Sequence, residues 1–270
     1  ETYFNIGSAL VEKGDYDSAI KNLQKALQIM PNHHNACNNM GAALRAKGEL
    51  QAAIKSYDSA IKINPKNVNA RYNKSLLLLN LESFKKGWPA YEYRWKKSKL
   101  DSVPTLSSRP KWHLGDQGRV LVWGEQGIGD EIMFSSLIPD LHAACSHLIV
   151  KADKRLIPIL SRSFPKDIEF VENSVPVAED DYDAHIAMGS LPLHFRPNIE
   201  SFKTAAQGYL SADGKRAAAL RDRLLSDGSE ILIGLSWHST SKIRVAQKRT
   251  ISLGQLTRAF QAESVKFVSL

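Results

Sequence analysis

The stretch "GEQGIGD", residues 124–130, puts three glycines and two carboxylates into seven positions. Gly127 and Gly129 would let the backbone approach a ligand closely and adopt positive φ, with Glu125 beside them. Asp130, at the end of the loop, has two uses. It can take a proton from an attacking hydroxyl, or it can cap a helix by accepting from first-turn amides. Spacing alone leaves both open, because the order is G-x-x-G-x-G rather than the dinucleotide G-x-G-x-x-G, and no G-K-[ST] marks a phosphate loop. Further along, Lys248 and Arg249 form a basic pair with Lys242 and Arg244 upstream, and Ser236, Trp237 and His238 end an apolar run. "DYD" at 181–183 has the spacing of a metal-binding D-x-D, yet it directly precedes a strand pattern. The eight histidines show no H-x-x-x-H spacing, so no metal is expected.

The elements that must position these residues alternate. "RVLVWG" (119–124) suits a buried parallel strand, and "DEIMFSSLIPDLHAAC" (130–145) carries apolar residues at helical spacing. "HLIVKA", "IEFVE" and "YDAHIAMG" read as further strands, and "KRLIPILSRSF" as a helix bent by Pro158. "AAALRDRLLS" and "LGQLTRAFQA" then read as helices alternating with the strands "EILIGLSWH" and "VKFVSL". Such alternation means crossover units and a doubly wound parallel sheet. In an open sheet of that kind, ligands sit beyond the carboxyl ends of the strands, where the glycine loop falls.

The first part of the chain follows a different rule. At an offset of 34, Gly7 maps onto Gly41, Leu10 onto Leu44, Ala19 onto Ala53, Leu23 onto Tyr57, Ala26 onto Ala60 and Pro31 onto Pro65. Small residues let antiparallel helices approach, larger ones fill the space between turns, and the prolines end each second helix. This pattern resembles the tetratricopeptide repeat, with units at 1–34 and 35–68 and a degenerate third at 69–97. In the third, Ser75, Gly87 and Tyr91 keep the register, but Arg94 replaces the alanine. An atypical end unit of this kind is expected to dock on the next domain. Repeats of this family bind peptides or proteins, which implies a groove in which Asn38 and Asn73, with Asn35, Asn39 and Asn69, hydrogen-bond a peptide backbone. The same asparagines read equally as solvated surface.

Residues 98–118, with two prolines and several serines, read as the linker; 119–212 then form a first α/β half and 213–270 the start of a second. The succession "GWPAYEYRW", "RPKWHLGD", "VLVWGEQGIGDEIMF", "DYDAHIAMGSLPL" and "IGLSWHST…KRTISL" resembles bacterial proteins that join tetratricopeptide repeats to a glycosyltransferase-like domain. That domain is similar to the ADP-heptose lipopolysaccharide heptosyltransferases, glycosyltransferase family nine. The resemblance implies a GT-B architecture of two Rossmann-like halves, no metal and no cofactor, and a nucleotide sugar as donor. It implies Asp130 as general base after Gly129 and Gly127, with Glu125 on the acceptor side. Lys248 and Arg249, with Ser236, would meet donor phosphates. The sequence given stops after the second strand of the second half, so that half is expected to be incomplete, inactive alone, and to leave an edge a partner chain would cover.

Composition bounds the rest. At 270 residues the chain holds about two domains, and 43% hydrophobic with 24% charged residues is ordinary for a globular protein. No apolar run approaches the length of a membrane helix. Two cysteines, Cys37 and Cys145, fall in separate expected helices and are read as reduced thiols in a cytoplasmic protein. The net charge of +8 favours anionic partners, but no aromatic-basic motif points to nucleic acid. Two functions stay open: an enzyme moving a sugar to a hydroxyl of a glycan or protein, and a non-catalytic scaffold built on a degenerate transferase-like domain.

Overall fold

The structure is a computed structural model that describes residues 1–97, 107–205, 208–225, 231–236, 251, 252, 254 and 265–269. It divides into two compact units, Glu1–Leu210 and Ser211–Leu270.

The first unit opens with three helical hairpins: α1 (Thr2–Lys13) with α2 (Tyr16–Ile29), α3 (His34–Ala46) with α4 (Leu50–Ile63), and α5 (Val68–Asn80) with α6 (Phe84–Tyr91). Local chemistry sets their ends. Gly14 takes a left-handed φ of 87° after α1, and Gly48 repeats this with 84° after α3, which are conformations glycine adopts without a Cβ penalty. Asp15 caps α2 through the Ser18 amide, and Asn67 caps α5 through the Ala70 amide. Inside, the residues that recur at 34 positions meet: Ala19, Leu23, Ala53, Tyr57 and Ala60 are all fully buried. A Cβ on Gly7 would lie 2.7 Å from Leu23 Cγ, and one on Gly41 would lie 2.6 Å from the Tyr57 ring, so glycine is what allows each hairpin to close.

A 3-10 turn, Glu92–Lys96, follows α6. After it come β1 (Arg119–Trp123), α7 (Ile128–Ser135), α8 (Ile138–His142), β2 (His147–Ala152), α9 (Ile157–Ser163), β3 (Glu169–Glu172), β4 (Ala184–Ala187) and α10 (Leu191–Phe195). The strands form one parallel sheet in the order β3-β2-β1-β4. The core packs Val120, Val122, Leu148, Val150 and Ile186 of the strands against Phe134, Ile138, Leu141 and Leu160 of the helices. Of the stretch read as linker, residues 98–106 lie outside the described residues. Residues 107–118 contribute Trp112, 1% exposed, to the sheet core, and Lys111 bridges to His185 in parallel.

Local readings differ from the structure where proline decides. The helix expected over 130–145 is two short helices, because Pro139 stands in the first turn of α8 and starts a new segment. Pro158 likewise opens α9 rather than bending it.

The second unit holds α11 (Gly214–Leu224), capped by Asp213, and a parallel pair of strands, β5 (Ile231–Leu235) and β6 (Val265–Ser269). The helix expected over 253–262 falls outside the described residues except at Gly254.

Candidate functional site

In the sheet of the first unit, the order of strands reverses between β1 and β4, which run parallel, and beyond their carboxyl ends lies the crevice where open α/β sheets receive ligands. Two loops border it: 124–127 after β1, and the turn Met188–Ser190 after β4.

Arg94 enters between these loops from the third helical unit and is 4% exposed. Its Nε and Nη2 donate to Glu125 Oε2 at 3.0 Å and Oε1 at 2.7 Å, a bidentate pair. Nη2 also donates to Ser190 Oγ at 2.7 Å, and Nη1 to Glu92. Ser190 Oγ in turn donates to Glu92 Oε1 at 2.8 Å, and the Gly189 amide donates to Glu125 Oε1 at 3.1 Å. Glycine is required at 189, because a Cβ there would overlap Glu125 Oε1. Beside this network the Tyr91 hydroxyl accepts from Gln126 Nε2 at 2.6 Å, and burial pushes that hydroxyl up to about 12. Gln126 has φ 65°, so the loop's left-handed residue is this one and neither Gly127, at φ −106°, nor Gly129. Trp88, on the same helical unit, packs on the sheet core and donates its indole N–H to the Arg196 carbonyl at 2.9 Å.

Those expected site residues that lie among the described ones have a place. Glu125 has both carboxylate oxygens occupied by Arg94. Asp130 lies at the third position of α7 rather than at its N-cap; its Oδ2 accepts from the Gly127 amide at 3.2 Å, and it is partly exposed. Gly127 and Gly129 are exposed, and a Cβ on Gly129 would meet nothing within 4 Å. The chain's own packing gives no reason for glycine there. Ser236 follows β5, exposed, in the second unit. Lys248 and Arg249, with Trp237, His238, Lys242 and Arg244, lie outside the described residues.

A second carboxylate, Glu131, is 5% exposed and ties the neighbouring strand ends together. Its oxygens accept from the Asp153 amide after β2 at 2.7 Å and from Asn173 Nδ2 after β3 at 3.1 Å. Burial raises its pKa. Gly124 makes room for it, since a Cβ there would lie 2.5 Å from the Glu131 carboxyl. On the β4 side, a cavity of about 370 Å³ is walled by Trp95, Trp112, Trp123, His185 and His194, with Glu92 and Ser190 on its border. Trp123 Nε1 donates to His185 Nδ1 at 3.2 Å, and burial lowers the pKa of both His185 and His194. Sequence reading missed this cavity, because its three tryptophans come from three separate segments.

On the helical hairpins, the asparagines join in a row across the first helices. Asn73 Nδ2 donates to Asn38 Oδ1 at 3.0 Å, Asn38 Nδ2 to Asn39 Oδ1 at 3.1 Å, and Asn39 Nδ2 to Ser8 Oγ at 2.8 Å. Asn35 and Asn69 are exposed outside it. Asn5, Asn39 and Asn73 stand 34 residues apart, a periodic signal that sequence reading passed over. Among the described residues, no cluster of three or more His, Cys, Asp or Glu could hold a metal ion, and no helix is long and apolar enough to cross a membrane.

The class these features define is a set of tetratricopeptide repeats followed by a parallel α/β layer. Residues 7–45 and 41–81 match the family described as TPR repeat. Over 199 residues the chain is 29% identical to Protein FlbA of Caulobacter vibrioides, covering 67% of this chain and 33% of that protein. The chain thus spans about a third of the length of this relative. Similar solved structures include the Sgt2 TPR domain from Aspergillus fumigatus, at 26% identity and TM-score 0.33, covering 34% of this chain and 61% of that one. Another is MamA from Desulfovibrio magneticus RS-1, at 27% identity and TM-score 0.32, covering 34% and 52%.

Proposed function

We propose that this chain is the partner-binding and acceptor-side part of a metal-independent, cytoplasmic glycosyltransferase of GT-B type. In this reading the repeats hold a peptide or protein, and Asp130 accepts the proton of the acceptor hydroxyl. The observation that carries it is the glycine loop at the carboxyl end of β1, beside the reversal in strand order, with Asp130 partly exposed. The open space around Gly129 supports it too, because a ligand approaching the backbone would account for a glycine that the fold does not need. Gly127 would shape the acceptor side. Lys248 and Arg249, with Ser236, would meet the phosphates of a nucleotide sugar. The asparagine row through Asn38 and Asn73 would hydrogen-bond the partner's backbone.

Asp130→Asn, made in the full-length gene product, keeps the contact to the Gly127 amide and removes the base. Nucleotide-sugar turnover is expected to fall by about 100-fold or more with no change in thermal unfolding. Unchanged turnover removes Asp130 from the mechanism.

A second reading has its own support. Arg94 engages both oxygens of Glu125, which commits that side chain to holding the repeats on the loop after β1. On a scaffold the same contacts would serve only to fix the repeats on the sheet. Absence of any nucleotide-sugar hydrolysis or transfer by the full-length protein, with partner binding intact, would select the scaffold.

A further inference from the structure

The cavity on the β4 side stands apart from the glycine loop, since none of residues 124–130 borders it. Its volume of about 370 Å³ is near the lower end of the range for small-molecule sites, roughly 300 to 1,000 Å³. Its walls come from both sides of the seam. Glu92 and Trp95 belong to the repeats; Trp123, His185, Ser190 and His194 belong to the sheet layer.

Ring geometry bears on the shape that fits. The indoles of Trp95 and Trp123 lie 5.4 Å apart at 54°, and Trp112 meets His194 at 79°. Inclined walls of this kind make corners, whereas a planar heterocycle is held best by parallel, offset faces. A saturated ring, thicker and edged with C–H groups, suits a corner. Charge narrows the choice further, because a ligand of either sign meets its like. The Arg94 guanidinium lies 4.3 Å from the Trp95 centroid and Lys111 stands on the border, against a cation; Glu92 stands against an anion. Hydrogen-bonding capacity nevertheless remains. Glu92 Oε1 is taken by Arg94 and Ser190, but Oε2 has no hydrogen bond among the described residues, and neither has the His194 ring. Burial lowers the His194 pKa, so that ring faces the cavity uncharged at neutral pH.

We propose that this cavity is a recognition site for a neutral sugar ring, whose C–H groups pack on Trp95 and Trp123 while its hydroxyls bond Glu92 Oε2 and His194. The site performs no transfer and does not involve Asp130. Because its walls come from the repeats and from the sheet layer, a bound sugar would also stabilise the seam between them.

The test presents the full-length protein with methyl glycosides of glucose, mannose, galactose and N-acetylglucosamine, read by calorimetry and by saturation transfer from aromatic protons to the sugar. At least one glycoside is expected to bind with a Kd on the order of 1 mM, with transfer strongest to the ring C–H protons. Trp95→Ala should weaken it about tenfold, and His194→Phe, which keeps a ring but no nitrogen, about threefold. Leu193→Trp places bulk in the cavity from α10 and should abolish binding with the Arg94 network untouched, which covers the case in which Trp95→Ala disturbs the seam. No binding of any glycoside overturns the proposal, as does affinity that survives both Trp95→Ala and Leu193→Trp. Uridine, adenosine or tetramethylammonium binding more tightly than the best glycoside, with the same dependence on Trp95, would also overturn it. Cavity binding without any sugar transfer keeps this site and removes the transferase reading; transfer without cavity binding does the reverse.

Discussion

Within the repeats and at the junction with the sheet, the same periodic positions are used for opposite purposes. Between hairpins, Ala26 and Ala60 are small so that helices approach, and Leu23 and Tyr57 fill the gap; the buried part of the seam contains no charge, and the ion pairs Lys47–Asp17 and Lys74–Asp58 lie on its exposed border. One repeat later, the position of those alanines is Arg94 and the position of Tyr57 is Tyr91, and both reach out of the repeats into the loops after β1 and β4. The apolar seam is stabilised by area removed from water and tolerates variation of shape within limits. The ionic seam depends on every partner being present, because each buried charge is costly unless matched. Joining unlike elements thus takes directional bonds, where joining like ones takes only complementary surface.

The sharpest way to break this comparison is to remove Arg94. Arg94→Ala leaves Glu125, with its side chain 1% exposed, buried without a counter-charge, and is expected to cost about 3–5 kcal/mol in urea unfolding of the chain. Combining Arg94→Met with Glu125→Leu should recover most of that loss, since an apolar replacement of both partners leaves no orphaned charge. If Arg94→Ala costs no more than an ordinary surface substitution, the seam is not held by this network.

Of intermediate size is the effect of glycine at the ionic seam. Gly189→Ala drives a Cβ into Glu125 Oε1 and must displace a carboxylate bonded on both oxygens, for which about 1–3 kcal/mol is expected by thermal melting. Gly129→Ala, in open space on α7, should leave stability unchanged or slightly raised, as alanine favours helix over glycine. Equal losses for the two would mean that the Glu125 seat has slack.

What was legible in the sequence follows the same division. The repeats were readable because Gly7, Ala19, Leu23, Ala26 and Pro31 recur 34 residues later, and one packing solution used twice leaves a correlated signal. The strands were readable because buried parallel strands are short apolar runs. Even the docking role of Arg94 showed, as a break in the repeat. Its partners did not: Glu125, Ser190 and Glu92 are scattered over nearly a hundred residues, and the pairing of β1 with β4 is what brings the loops carrying Glu125 and Ser190 together. Glycine was misread in the loop for a related reason. The positive φ sits at Gln126, whose side chain is drawn to Tyr91, and that is a tertiary preference no local rule contains. Asp130 was placed near the helix start correctly but one role over, because the turn begins at Gly127.

The smallest effect is the most discriminating, because it has opposite signs at equivalent positions. Tyr57 and Tyr91 occupy the same place 34 residues apart. The Tyr57 hydroxyl is buried with no hydrogen-bond partner among the described residues, while the Tyr91 hydroxyl accepts from Gln126. Tyr57→Phe removes an unsatisfied polar group and should stabilise the chain by about 1 kcal/mol, whereas Tyr91→Phe strands the Gln126 amide and should destabilise it by about the same amount. Chemical denaturation of the two single variants and the double variant reads both terms, and the double should lie near the wild-type value because the residues do not share a partner. If both substitutions shift stability in the same direction, position within the repeat outweighs what lies across the seam, and the third unit is an ordinary repeat after all.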